Sequence, residues 1–136
     1  MKVSATFPKG KRLLKHADFD RVYREGKRQV SRNMSVFYLL PRANAEDAVR
    51  VGITAGRALG GAVSRNRIKR RMREAVRRHL SELTGAVDVV INPRKSVAEL
   101  DLAELEKEVE QAFRKIERAP RGLVQISDSA ARGKQR

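Results

Sequence analysis

Apolar residues recur at two different periods along this chain, and each change of period marks an element. Phe19, Val22 and Tyr23 form an i, i+3, i+4 stripe that predicts a short helix over about 17–25. Asp18 favours its positive N-terminal end, and Gly26 is expected as a left-handed stop. Lys27–Arg32 carries a short strand pattern, and Met34–Leu40 a fuller one ending at Pro41, which has no amide hydrogen for a ladder. Arg42–Asp47 is polar and acidic enough for a hairpin loop. Val49–Ala55 alternates strictly, placing Val49, Val51, Ile53 and Ala55 on one face. After the glycine-rich turn Gly56–Gly61 comes Ser64–His79, in which Ile68, Met72, Ala75, Val76 and Leu80 share one helical stripe that Leu83 continues. Gly85 closes this helix or its last turn. Val87–Ile91 is nearly all apolar, as a central strand covered on both faces would be, and Asn92-Pro93 is expected to stop it. Ser96–Glu99 and Asp101–Glu104 both match a capping box. A helix then runs to Arg118 with Leu102, Leu105, Val109, Ala112, Phe113 and Ile116 inward. The order α-β-β-β-α-β-α predicts an α+β fold, a small sheet covered by one basic helix and one with an acidic start.

At 136 residues and 40% hydrophobic content, the chain suits a single domain with a modest core. The ordered part is expected over about 8–118, after a basic arm (1–11) that Pro8 and Gly10 keep from helix. The polar, aperiodic tail (119–136) is expected to be disordered. A net charge of +15 narrows the partners to a nucleic acid or an anionic membrane surface. There is no apolar run of the roughly 18 residues a membrane span needs, and Met1–Pro8 has no apolar segment of the secretory type. Cysteine is absent, which removes disulfides and thiolate metal sites and fits a reducing, cytoplasmic setting.

Charge placement sharpens the choice of partner. Arg65, Arg67, Lys69, Arg70, Arg71, Arg73, Arg77 and Arg78 cover the outer side of the central helix, with Glu74 as the single acid among them. A solvated helix face normally mixes signs and gains from i, i+4 pairs. This one repels itself until a polyanion binds, and its arginine forks suit phosphate oxygens. Asn66 adds an amide that can donate and accept toward a base edge or sugar hydroxyl, or else make a local contact at the helix start. The glycine-rich turn could offer amide hydrogens to a phosphate, or simply be a tight strand-to-helix turn.

Catalytic groupings are missing by comparison. There is no phosphate-binding Gly-x-x-x-x-Gly-Lys loop, no cysteine nucleophile and no histidine pair at metal spacing. His16 is isolated, and His79 lies at the edge of the apolar stripe, where a packed histidine is the ordinary reading. Aromatics are 4% of the chain and tryptophan is absent. Phe19 and Tyr23, with either Phe37 or Tyr38, are the only aromatics placed for base stacking, and alternation sends Phe37 and Tyr38 to opposite faces. Tyrosine suits a wet groove better, so Tyr38 is expected there. The other reading is that all four fill core, as Phe113 is expected to do.

Ala62-Val63-x-Arg65-Asn66-Arg67-Ile68-Lys69-Arg70-Arg71-x-Arg73-Glu74-Ala75 resembles the RNR signature of the protein subunit of bacterial ribonuclease P. Phe7-Pro8-Lys9, Lys11-Arg12-Leu13, Asp18-Phe19-x-x-Val22-Tyr23-x-x-Gly26, Arg50–Thr54 and Asp88-Val89-Val90 stand in that family's order, so the resemblance spans about 7–118. It implies a four-stranded α/β sandwich like the second domain of ribosomal protein S5, with a left-handed β-α-β crossover where the general rule gives a right-handed one. It also implies a protein that is not itself the catalyst. In the family the RNA subunit cleaves with bound magnesium, while the protein holds the 5′ leader of precursor tRNA between its first helix and the sheet. Carried over, Arg57, Arg65, Asn66, Arg67, Lys69, Arg70 and Arg73 would face RNA, and Phe19, Tyr23 and Tyr38 would line the leader cleft. No metal site on the protein, no membrane and no obligate protein partner are expected. Relatives carry two adjacent lysines before the position of Leu59; here the pair reads Arg57-Ala58, so one cation remains. A general RNA-packaging protein, or a DNA-architectural one, would explain the charge alone.

Overall fold

Seven main elements follow one another in the expected order: α1 (His16–Glu25), β1 (Lys27–Val30), β2 (Met34–Leu39), β3 (Val49–Ile53), α2 (Ala62–His79), β4 (Val87–Pro93) and α3 (Leu102–Arg118). Short 3-10 turns stand at Arg57–Leu59, Leu80–Glu82 and Lys95–Ala98. The structure, a computed structural model, describes residues 15–40 and 49–119. The expected basic arm, the 42–47 loop and the tail beyond Ala119 lie outside these residues.

The strands make one sheet in the order β1-β2-β4-β3. β1/β2 and β2/β4 are antiparallel, and β3/β4 are parallel neighbours joined through α2. Central β4 explains the all-apolar run, because each of its faces is covered. Val87, Val89 and Ile91 join the large core with Met34, Val36, Val49 and Val51, beneath α2 and α3. Val90 faces the other way and packs with Val22, Phe19, Phe37 and Leu39 under α1. The inward stripe of α2 is as expected: Ile68, Met72, Ala75 and Val76 are fully buried.

Four local expectations are corrected. β4 runs on through Pro93, which pairs with Met34. The Arg94 amide donates to the Asn33 carbonyl (2.9 Å), so Met34 and Pro93 form a non-hydrogen-bonded pair that calls for no proline amide. On the other side β3 has already ended opposite Ile91. Gly26 is not a left-handed stop, since its φ is −86°. Glycine is required there by proximity: a Cβ would lie 2.5 Å from the Tyr38 carbonyl oxygen and 2.6 Å from that of Val22. Neither capping box forms. Asp101 occupies the N-cap of α3 without a side-chain bond, and the Ser96 hydroxyl donates instead to Asn33 Oδ1 (2.6 Å). Leu102 is exposed rather than inward.

Candidate nucleic-acid interface

The polar side of α2 divides into three sets according to what each cation meets. Arg65, Lys69 and Arg73 stand one turn apart, with Asn66 and Arg70 beside them, and none has a side-chain hydrogen bond or ion pair to a described residue. The helix starts at Ala62, two residues before the expected start, so exposed Asn66 lies in its second turn rather than at a cap. Toward α3 the pattern changes. Arg67 donates through Nε to the Ala98 carbonyl (2.8 Å), and Arg71 donates to those of Val97 (3.0 Å) and Leu100. At the C-terminal end Glu74 accepts from Arg77 and from Arg78 Nε (2.8 Å). Those two guanidiniums, Arg77 first, hold the Glu74 carboxyl below the usual carboxylate range. Thus the unpartnered charge is concentrated in the first two-thirds of the helix.

The turn feeding α2 is a tight one. Leu59 is buried, Ser64 Oγ donates back to the Leu59 carbonyl (2.9 Å), and Gly60 has φ +103°, a left-handed conformation that favours glycine. Arg57 is exposed on this turn and extends the basic surface toward β3.

A second feature lies across the sheet, where α1 crosses β2 and β4. Tyr23 meets Phe37 edge-to-face, with ring centroids 4.9 Å apart, and the Arg28 guanidinium sits 5.6 Å from the Phe37 centroid. Tyr23 OH (3.0 Å) and Thr54 Oγ1 (2.8 Å) both donate to Asn92 Oδ1. Burial raises the pKa of the Tyr23 phenol, and its bond to Asn92 opposes the rise. At the far end of α1, Arg50 makes a two-pronged pair with Asp88 (2.9 and 2.8 Å) and reaches Asp18 at 3.3 Å. The Asp88 bonds in particular raise the Arg50 pKa. This network pins the helix start, while Phe19, Tyr23, Phe37 and Asn92 gather where the helix meets the sheet.

Of the residues assigned to this cleft, Phe19 and Tyr23 are brought together and Tyr38 is not. Tyr38 packs against the large core on the opposite face, and Phe37 takes the place expected of it. Arg28, Asn92 and Thr54 went unnoticed in the sequence. Strand alternation places Arg28 opposite Phe37 on one face, and that was the available signal.

One group among the described residues has donor atoms close enough to hold a cation: His79, Glu82 and Glu110, all within 4.8 Å of one another. Arg114 already bridges its two carboxylates, at 3.2 and 2.7 Å. A magnesium ion prefers an all-oxygen octahedron, so this mixed, guanidinium-filled group does not suit one.

The family model of ribonuclease P matches residues 7–117. The ribonuclease P protein component of Desulforapulum autotrophicum is 38% identical over 117 residues, covering 85% of this chain and 97% of that protein. The one from Finegoldia magna is 36% identical over 107 residues, covering 79% and 91%. Among solved structures, the Staphylococcus aureus RNase P protein superposes with a TM-score of 0.67 at 30% identity, over 79% of this chain and 96% of that one. The Thermotoga maritima protein gives 0.67 at 28% identity, over 76% and 96%.

Proposed function

The chain belongs to the ribonuclease P protein component family, and from that premise we propose that α2 docks on the ribonuclease P RNA while the α1–sheet cleft holds the 5′ leader of precursor tRNA. Membership makes it a subunit of that tRNA-processing ribonucleoprotein nuclease, with the RNA as its partner. The observation that carries the rest is the set Arg65, Lys69, Arg70 and Arg73, whose charge no described side chain offsets.

In this reading, arginine and lysine tips replace condensed counterions on RNA phosphates, and affinity falls steeply with salt. Arg57, Asn66 and Arg67 belong to the same surface. Phe19, Tyr23 and Phe37 stack unpaired leader bases, with Arg28 beside the ring and Asn92, whose Oδ1 is taken by Tyr23 and Thr54, offering its Nδ2 as a donor. Mature tRNA has no leader and gains none of this, so the protein favours precursor over product. Magnesium would be held by phosphates of the RNA and would supply charge stabilisation at the cleaved bond. On the basic side of α2 the lone carboxylate, Glu74, is engaged by Arg77 and Arg78. No helix among the described residues is long and apolar enough to cross a membrane.

The experiment is reconstitution with a bacterial ribonuclease P RNA at low magnesium, cleaving precursor tRNAs with leaders of graded length. The protein should lower the magnesium needed and favour long leaders. Equal binding of mature and precursor tRNA would instead indicate general RNA packaging.

A further inference from the structure

Asn33 is a buried polar residue in the connection between β1 and β2, and each of its hydrogen-bonding groups is engaged. Its amide hydrogen and Nδ2 donate to the two oxygens of Glu108 on α3, at 2.9 and 2.7 Å. Its carbonyl accepts from the Arg94 amide (2.9 Å), and its Oδ1 accepts from the Ser96 hydroxyl (2.6 Å). Glu108 is itself steadied by the Ser31 hydroxyl. Asn33 therefore fastens the segment after β4 to the sheet on one side and to α3 on the other. A buried network with every member satisfied is rigid, and losing one partner is costly.

That same segment presents the Val97, Ala98 and Leu100 carbonyls to α2, where Arg67 and Arg71 meet them. The two arginines use the contact differently. Arg71 is half-buried and spends two nitrogens on carbonyls, so it acts as a brace. Arg67 is exposed and anchored through Nε alone, leaving its terminal nitrogens without a partner among the described residues. A backbone carbonyl is neutral, so this anchorage orients the guanidinium without cancelling its charge, unlike the pairing of Arg77 and Arg78 with Glu74. An arginine ordered before binding loses less side-chain freedom when a phosphate arrives.

We infer that Ser96 and Asn33 are positioning residues for RNA binding, holding the Lys95–Ala98 turn so that the Ala98 carbonyl aims the Arg67 fork at a phosphate. This deepens the reading of α2 as the RNA-facing helix and rests on it.

The test is a double-mutant cycle in the full chain, read as affinity for a ribonuclease P RNA transcript at fixed salt and magnesium. Ser96 is exposed, so Ser96→Ala removes one hydroxyl and leaves the Asn33 bonds to Glu108 and Arg94 in place, whereas Asn33→Ala truncates a buried residue and removes both its Nδ2 bond to Glu108 and the acceptor of the Ser96 hydroxyl. Arg67→Ala should weaken binding about tenfold and Ser96→Ala about threefold, with the double variant no weaker than Arg67→Ala, since coupled residues are non-additive. Ser96→Thr, which keeps the hydroxyl, should restore wild-type affinity. A general loss of rigidity would instead make the two losses multiply, and that result overturns the inference. So does a Ser96→Ala protein that binds like wild type. Arg65→Ala run in parallel separates the two levels. If it weakens binding while Arg67→Ala or Ser96→Ala does not, only the positioning role fails. If neither arginine variant binds less tightly, the RNA-facing reading falls and takes this inference with it.

Discussion

α2 and α3 are nearly equal in length, lie side by side on the same face of the sheet and bury similar apolar stripes, yet their outer faces are opposites. α2 carries eight bases and one acid; α3 carries four bases and five acids. On α3 four of the five acids, Glu106, Glu108, Glu110 and Glu117, find partners within the protein. Glu108 holds the β1–β2 connection, Glu110 meets Arg114 at 2.7 Å, and Glu106 lies 3.4 Å from Arg78. On α2 the early cations meet no described side chain. The same inward design serves folding in both helices; what differs is whether the majority charge of the outer face, acidic on α3 and basic on α2, is answered inside the molecule or left for a polyanion.

The sharpest way to break that contrast is to reverse charge on one helix at a time. Arg65→Glu, Lys69→Glu and Arg73→Glu together should weaken ribonuclease P RNA binding on the order of a thousandfold and make the log–log salt slope shallower by about three. Lys107→Glu, Lys115→Glu and Arg118→Glu on α3 should leave both quantities near wild type. Titration of labelled RNA over a salt series reads the two sets together.

On the inward side the two helices should behave alike. Phe113→Ala empties a fully buried site and should cost about 3–5 kcal/mol in urea unfolding, with RNA affinity per folded molecule retained.

Across the sheet, Gly26→Ala forces a Cβ to 2.5 Å from the Tyr38 carbonyl oxygen. Overpacking of this kind should cost about 1–3 kcal/mol, seen as a lower melting temperature. Phe37→Ala should lower affinity for long-leader precursor about tenfold and leave mature tRNA binding unchanged, the loss of one stacked base being about 1–3 kcal/mol. Tyr38→Ala should lower stability instead.

The smallest effect concerns Glu74. Arg77, and after it Arg78, depress its folded-state pKa, so the stability it contributes is present above the ordinary value of 4.5 and is lost as pH falls through the lowered one. Glu74→Gln should therefore flatten the acid limb of the stability–pH curve and leave the neutral region little changed.

These residues also show how far a sequence carries. The element order, the α2 stripe and the two-faced burial of β4 were legible, because periodicity reports burial directly. The pairing of Glu74 with Arg77 and Arg78 sits at i+3 and i+4, within reach of the same reasoning. Alternation told that Phe37 and Tyr38 point to opposite faces, but which face α1 covers is settled by packing, including the close approach at Gly26. The anchoring of Arg67 and Arg71 was hidden for a different reason. Their acceptors are backbone carbonyls 31 and 26 residues away, which carry no side-chain signature. The first capping box does not form because the Ser96 hydroxyl is taken by buried Asn33.

Lysine acetylation followed by mass spectrometry, with and without ribonuclease P RNA, tests the contrast between the helices most directly. Lys69 on α2 should become sharply protected when the RNA is added, while Lys107 and Lys115 on α3 keep their reactivity. Protection of the α3 lysines with Lys69 still reactive would contradict the account.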